Sequence, residues 1–329
     1  MNKNKLILKY KEHLEVLNRS SDTIAAYTYH MRVFLTSCDI TNITDIKMIN
    51  RKEIENYIYT LYAHKRADNN NPYCTDTICV KVRSIKRFFE FLEDANIIFL
   101  NPTASIKEPK KENHLVRDIL TLEEVDALFD LPILGTLKGI RDQAIMEMFY
   151  STGIRVEELC ELTIYDADFK GQMLRINDGK GKKDRVVPMG KHAAVYLQKY
   201  ITKARPQFIK ENKSIQQLFV NIYGRAISRQ AVRVMVKRYA RAAQIDKRIT
   251  PHTFRHTFAT DLIRNGADLY AVQKLLGHAD HRTTQRYIQS LGISLKAVHQ
   301  KTHPRERDKE DINTIKPRIE RIISRHESK

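Results

Sequence analysis

Six residues have the types and spacing to move a phosphoryl group onto a phenol: Arg155, Lys180, His252, Arg255, His278 and Tyr287. Arg155 lies in Ser151-Thr152-Gly153-Ile154-Arg155, just past a helix-breaking glycine. Lys180 stands between Gly179 and Gly181, the composition of a tight hairpin turn from which an ammonium group reaches outward. Thr250-Pro251 reads as a helix start, with Thr250 as the cap and Pro251 at the first helical position. His252 and Arg255 then fall three residues apart on one helix face, near N–H groups that favour an anion, whereas His256 points elsewhere. His278 follows the helix-ending Gly277, and Tyr287 comes nine residues later, with Asp280 placed to cap a helix between them. Singly, each has a plain structural reading, such as a capped helix with a surface cation or a packed aromatic. As a set they are the parts for phosphoryl transfer to a tyrosine.

Two bodies must position them. At 329 residues the chain is too long for one ordinary core. The first hundred residues read as an all-helical bundle. Leu6, Tyr10, Leu14 and Leu17 recur at helical spacing, as do Ile24, Tyr27, Met31, Phe34 and Leu35 after Ser21. Asn50 and Glu53 form a capping box opening Ile54, Tyr57, Ile58 and Leu61. Ile78, Val82, Ile85, Phe88, Phe89 and Leu92 make a fourth face, whose helix also carries Lys81, Arg83, Lys86 and Arg87. Those cations read equally as a solvated face or as a DNA contact. Residues 106–117 are charged and without apolar pattern, as a linker is. The expected division is a helical domain over 1–105, a linker over 106–117, a catalytic domain over 118–305 and an extension over 306–329.

In the second body, Thr121 and Glu124 cap a helix, and another covers Ile140 to Tyr150 and stops at Gly153. Residues 162–176 alternate, 172–188 read as a strand pair, and from about 191 the periodicity is helical. There Val232, Met235, Val236, Tyr239 and Ala243 form an apolar face. Arg225, Arg229, Arg233, Lys237 and Arg241 recur every four residues, a slanted cationic stripe without an interleaved acid that reads as a phosphate-contacting surface.

Charge points the same way: 57 Lys and Arg against 39 Asp and Glu give a formal net charge of +18, a field that favours polyanions. No apolar run approaches the roughly 18 residues of a membrane span, and no apolar stretch of a secretory signal follows the charged N-terminus. Cys38, Cys74, Cys79 and Cys160 show no C-x-x-C pair and read as reduced thiols of a cytosolic protein. A phosphate-binding G-x-x-x-x-G-K-[ST] loop and a convincing metal-ligand cluster are both lacking in the sequence.

The segments around Arg155, Lys180, His252 and His278, in this order and at these separations, resemble the tyrosine recombinase (phage integrase) family, and its Xer group in particular. Lys180-Gly181-Lys182-Lys183-Asp184-Arg185-Val186-Val187-Pro188 is similar to the family's hairpin. Pro251 to Thr260 and Leu275-Leu276-Gly277-His278 are similar to its two signature boxes, and His303-Pro304-Arg305 to the usual Xer chain end. The resemblance covers almost the whole chain. It implies a mainly α fold with a small antiparallel β-sheet: a SAM-like helical core-binding domain and a mixed α/β catalytic domain, closing on DNA as a C-clamp.

It also implies roles. Tyr287 would be the nucleophile, leaving a 3′-phosphotyrosyl link; Arg155 and Arg255 would clamp the non-bridging oxygens; Lys180 would protonate the departing 5′-oxygen. His252 would be the base, His278 would hydrogen-bond the phosphate, and Glu158 would orient a catalytic histidine or arginine. No cofactor or metal is called for. The implied partners are double-stranded DNA carrying a specific site and a homo- or hetero-tetramer on two duplexes, in the cytoplasm at the nucleoid. Two alternatives stay open: a DNA-binding accessory protein that does not cleave, and a monomeric enzyme like the type IB topoisomerases. In the extension, Ile312, Ile315, Ile319, Ile322 and Ile323 form an apolar stripe broken by Pro317, either a frayed tail or a piece that docks on a catalytic domain.

Overall fold

The structure, a computed structural model, describes residues 1–63, 71–110, 119–133, 135–177, 184–210 and 214–277. The chain divides into two compact units, Met1–Asn113 and His114–Lys329.

The first unit consists, among the described residues, of α1 (Lys3–Val16), α2 (Ser21–Ser37), α3 (Ile43–Met48), α4 (Arg51–Ala63) and α5 (Thr75–Asp94). Helix α5 is its centre. Ile78, Val82, Ile85, Phe88, Phe89 and Leu92 are buried along it, and Tyr10 meets Phe88 edge-on at 5.1 Å. The expected Asn50–Glu53 box opens α4, with the Asn50 N–H donating to Glu53 Oε2 at 2.8 Å. The six-residue α3 escapes a periodicity reading because it is too short to show a repeat; its own box, Asn42 with Asp45, defines it.

The cations of α5 serve largely as fasteners. Lys81 is buried with its ammonium 4.7 Å over the Tyr73 ring. Arg83 donates to both oxygens of Glu108, and Lys86 Nζ donates to the Ile106 carbonyl at 2.7 Å. With Ile106 buried in the apolar cluster, these bonds hold residues 106–108 against α5.

The second unit opens with α6 (Leu122–Phe129), capped by Thr121 and Glu124, and runs into α7 (Leu137–Thr152). Helix α7 is buried on nearly every side and ends at Gly153, whose φ of 60° is left-handed. A short α8 (Val156–Glu161) follows. Then comes an antiparallel sheet in the order β1 (Ala167–Asp168), β2 (Met173–Ile176), β3 (Arg185–Pro188), with Leu174 opposite Val187 and Ile176 opposite Arg185. Leu174, Ile176 and Val187 face the core. Helix α9 (Lys191–Lys199) passes through a π-turn at Tyr200–Ala204 into α10 (Arg205–Ile209). The unit continues with α11 (Arg229–Ala242), α12 (Pro251–Arg264) and α13 (Leu269–Leu276).

Two local expectations change here. Residues 214–228 are not helical: they pair through the Thr163–Gln217 and Val220–Ala226 bridges and turn at Gly224, φ 70°. The Asn221 side chain holds that turn, accepting from the Tyr223 and Arg225 N–H groups. Arg225 therefore precedes α11, which starts only after its Ser228 cap.

Candidate active site

Three arginines converge on the last carbonyls of α13. Arg155 is brought there by the left-handed Gly153, after which the buried Ile154 turns the chain into α8. Its Nη2 donates to the Gly277 carbonyl at 3.1 Å. Arg185, the first residue of β3, donates from Nε to the Leu275 carbonyl at 3.0 Å. Arg255 projects from α12 and donates to the carbonyls of Gly153 and Leu276, both at 2.6 Å. A helix leaves its final carbonyls without partners inside the helix, and the dipole is negative there. Leu275, Leu276 and Gly277 thus each receive one guanidinium.

A single carboxylate organises two of these cations. Glu158, on α8, takes the Arg155 N–H at 2.9 Å and Arg155 Nη1 at 2.6 Å. It also takes Arg185 Nη1 at 2.9 Å and Nη2 at 2.8 Å, a two-pronged guanidinium–carboxylate pair. Glu158 is 7% exposed, and the Arg185 side chain 11%. Burial alone would raise the Glu158 pKa, but the hydrogen bonds and charge of Arg185, then of Arg155, bring it down to about 2. Arg155 and Arg185 on Glu158, with Arg255 on the neighbouring carbonyl, leave an excess of positive charge at the end of α13, which suits a phosphate.

Gly277 is required twice. Its φ of 63° is left-handed, and a Cβ built there would lie 2.9 Å from Arg185 Nη1 and 3.1 Å from its Cζ.

Helix α12 starts as its sequence indicates, with Thr250 capping at Thr253 and Pro251 in the first turn. Arg255 is 4% exposed while His252, three residues earlier, remains open to solvent. The His252 pKa lies below its ordinary value, first because the protein around the imidazole takes away part of its hydration. Glu157 opposes that shift, and the charges of Arg255, Arg233 and Arg155 add to it. A neutral imidazole beside a cationic cluster is fit to accept a proton.

Along α11, Arg229, Arg233, Lys237 and Arg241 are exposed. The stripe is not wholly without acids around it, since Arg233 donates to Glu157 of α8 at 3.2 Å. Arg238, outside the stripe, binds the fully buried Asp142 together with Tyr239.

The structure thus brings Arg155, Arg255 and Glu158 together, with His252 on the same helix as Arg255. Lys180, His278, Tyr287 and the extension 306–329 lie outside the described residues. Sequence reading passed over Arg185 as a strand residue. Its signal is phase: it shares the inward side of β3 with the buried Val187, and a cation on an inward strand position calls for a buried acid. Among the described residues, no group of three or more His, Cys, Asp or Glu could hold a metal ion, and no helix is long and apolar enough to cross a membrane.

The pattern of the phage integrase family matches residues 118–292. Tyrosine recombinase XerC 2 of Ralstonia nicotianae is 36% identical over 301 residues, covering 92% of this chain and 86% of its own. Tyrosine recombinase XerD of Staphylococcus saprophyticus is 36% identical over 286 residues, covering 87% and 94%. In fold, the chain matches the XerH site-specific recombinase bound to a palindromic difH substrate, with a TM-score of 0.67 and 20% identity over 86% of this chain and 80% of that one. A match to the family over half the chain, and Xer-type recombinases as relatives over nearly all of it, lead to one conclusion: the chain belongs to the phage integrase family of tyrosine recombinases.

Proposed function

We propose that this protein is a site-specific DNA recombinase that cuts and rejoins duplex DNA through a 3′-phosphotyrosyl intermediate. The observation that carries the reading is the pair Arg155 and Arg255, fixed on adjacent carbonyls of α13 with the His252 imidazole beside them.

The chemistry follows from these groups. A phenol has a pKa of about 10, so Tyr287 needs a base and a cationic surrounding to act as a nucleophile. His252 takes its proton as the phenolic oxygen attacks the phosphorus. The bond to the 5′-oxygen breaks, and Lys180 delivers a proton to that leaving group. Arg155 and Arg255 clamp the non-bridging oxygens and oppose the added charge of the five-coordinate transition state, with His278 hydrogen-bonding the phosphate. Attack by a 5′-hydroxyl on the phosphotyrosine reverses the step, so rejoining needs no external energy. The helical unit, with residues 106–108 held on α5, binds the core of the site together with the catalytic domain 118–305. Four subunits on two duplexes exchange the strands, in the resolution of chromosome dimers or in the integration and excision of mobile elements, at the nucleoid.

The test is a nicked suicide duplex carrying the recombination site, obtained by selecting bound duplexes from a randomised pool. A covalent protein–DNA adduct is expected with the native chain and not with Tyr287→Phe. A substrate with sulfur at the 5′-bridging position, whose leaving group needs no proton, should restore cleavage to Lys180→Ala. No adduct would favour an accessory DNA-binding protein. Adduct and supercoil relaxation without strand exchange would favour a topoisomerase-like enzyme.

A further inference from the structure

We propose that Arg185 is a positioning residue for strand cleavage, holding the phosphate clamp Arg155 through Glu158 and the end of α13 through the Leu275 carbonyl. The inference rests on the recombinase reading and adds to it a residue outside the six reacting groups.

The geometry places Arg185 at a junction. All three of its nitrogens are engaged: Nη1 and Nη2 with Glu158, Nε with Leu275. Glu158 in turn holds both the backbone N–H and the Nη1 of Arg155. With its side chain 11% exposed against 23% for Arg155, Arg185 is the inner cation and Arg155 the outer one. Arg185 therefore acts on a phosphate through Arg155. It also links three segments distant in sequence: α8, the strand that follows the connection bearing Lys180, and the α13 end that precedes His278. Lysine cannot replace it in full, because a single ammonium point lacks the planar fork that meets two carboxylate oxygens while its third nitrogen bonds elsewhere.

The experiment compares Arg185→Gln and Arg185→Lys with the native chain on two suicide duplexes. One carries the ordinary scissile phosphate. The other carries a methylphosphonate there, in which a methyl group replaces one charged oxygen and the transition state leans less on the clamp. Arg185→Gln is expected to bind the site within about 3-fold of native, since affinity is spread over many phosphate contacts. It should cleave the ordinary phosphate about 100-fold more slowly, and lose far less, under about 10-fold, on the methylphosphonate. Arg185→Lys should fall between on the ordinary phosphate. Equal slowing on both substrates would make Arg185 merely structural and overturn the proposal, as would native rates in Arg185→Gln. If Arg185→Gln does not fold, the same two-substrate ratio measured on Arg185→Lys decides. A native chain that forms no adduct at Tyr287 on the phosphate duplex would defeat the recombinase reading itself, and this proposal with it.

Discussion

The Thr257 hydroxyl accepts the backbone N–H of Leu120 at 2.9 Å, across 137 residues of sequence, and donates to the Thr253 carbonyl at 3.0 Å. Thr257 is fully buried on α12, two residues beyond Arg255. One hydroxyl thus ties the start of the second unit to the helix that carries Arg255 and His252. Thr257→Val keeps the shape but leaves the Leu120 N–H without its acceptor, and should cost about 1–3 kcal/mol. Thr257→Ser keeps the bond and loses a methyl group, at about 1 kcal/mol. Urea unfolding of the three proteins checks this; a valine variant as stable as native would contradict it.

Arg155→Ala and Arg255→Ala should each slow cleavage by a factor corresponding to about 3 kcal/mol or more. Site binding should change little, because it draws on many phosphate contacts. Gel shift and single-turnover cleavage on the same duplex separate the two effects. Parallel losses of binding and cleavage would remove both residues from the transition state.

As the proposed base, His252 should set an acid limit on cleavage. Its pKa is below the ordinary 6.5, so the imidazole stays neutral, and able to take the Tyr287 proton, at pH values where a free histidine is already charged. Cleavage should therefore persist as pH falls through 6.5 and decline only on further acidification. A pH–rate profile of the native chain should show this limb, and one of His252→Gln should be slower and lack it. A limb at or above 6.5 in the native chain would contradict the assignment.

The exposed cations of α11 should appear in the salt dependence of binding. Each lost phosphate contact lowers the slope of log affinity against log salt by about 0.9. Lys237→Ala with Arg241→Ala should flatten the slope by up to about two such steps and weaken binding to any sequence alike. An unchanged slope would make the stripe a solvated face.

The parts of the site announced by local chemistry could be read in advance. Gly153 before Arg155, and Thr250-Pro251 before His252 and Arg255, are signals carried within a few residues, and the structure builds the turn and the helix start they indicate. The long apolar stripes of α1, α2, α4 and α5 were equally plain. What escaped depends on distance along the chain. Glu158 and Arg185 are 27 residues apart, so neither predicts the other. The acceptors of the three guanidinium groups are backbone carbonyls, which carry no residue signature at all. On α5, Lys86 donates to the Ile106 carbonyl, where a charge pattern alone suggests solvent or DNA. Arg225 continued the four-residue rhythm of α11 across a cap that ends the helix before reaching it.

The close approach of Gly277 to the Arg185 guanidinium also constrains how such sequences can drift. A side chain at 277 must both enter the left-handed region and displace a guanidinium held by three hydrogen bonds, so a first change at 277 alone is disfavoured. A change at 185 to a shorter residue opens the space but strips Glu158 of its fork. The two positions, 92 apart in number, are therefore expected to vary together, with Gly277 replaced more readily in chains that have already lost the arginine and found another cation for the carboxylate.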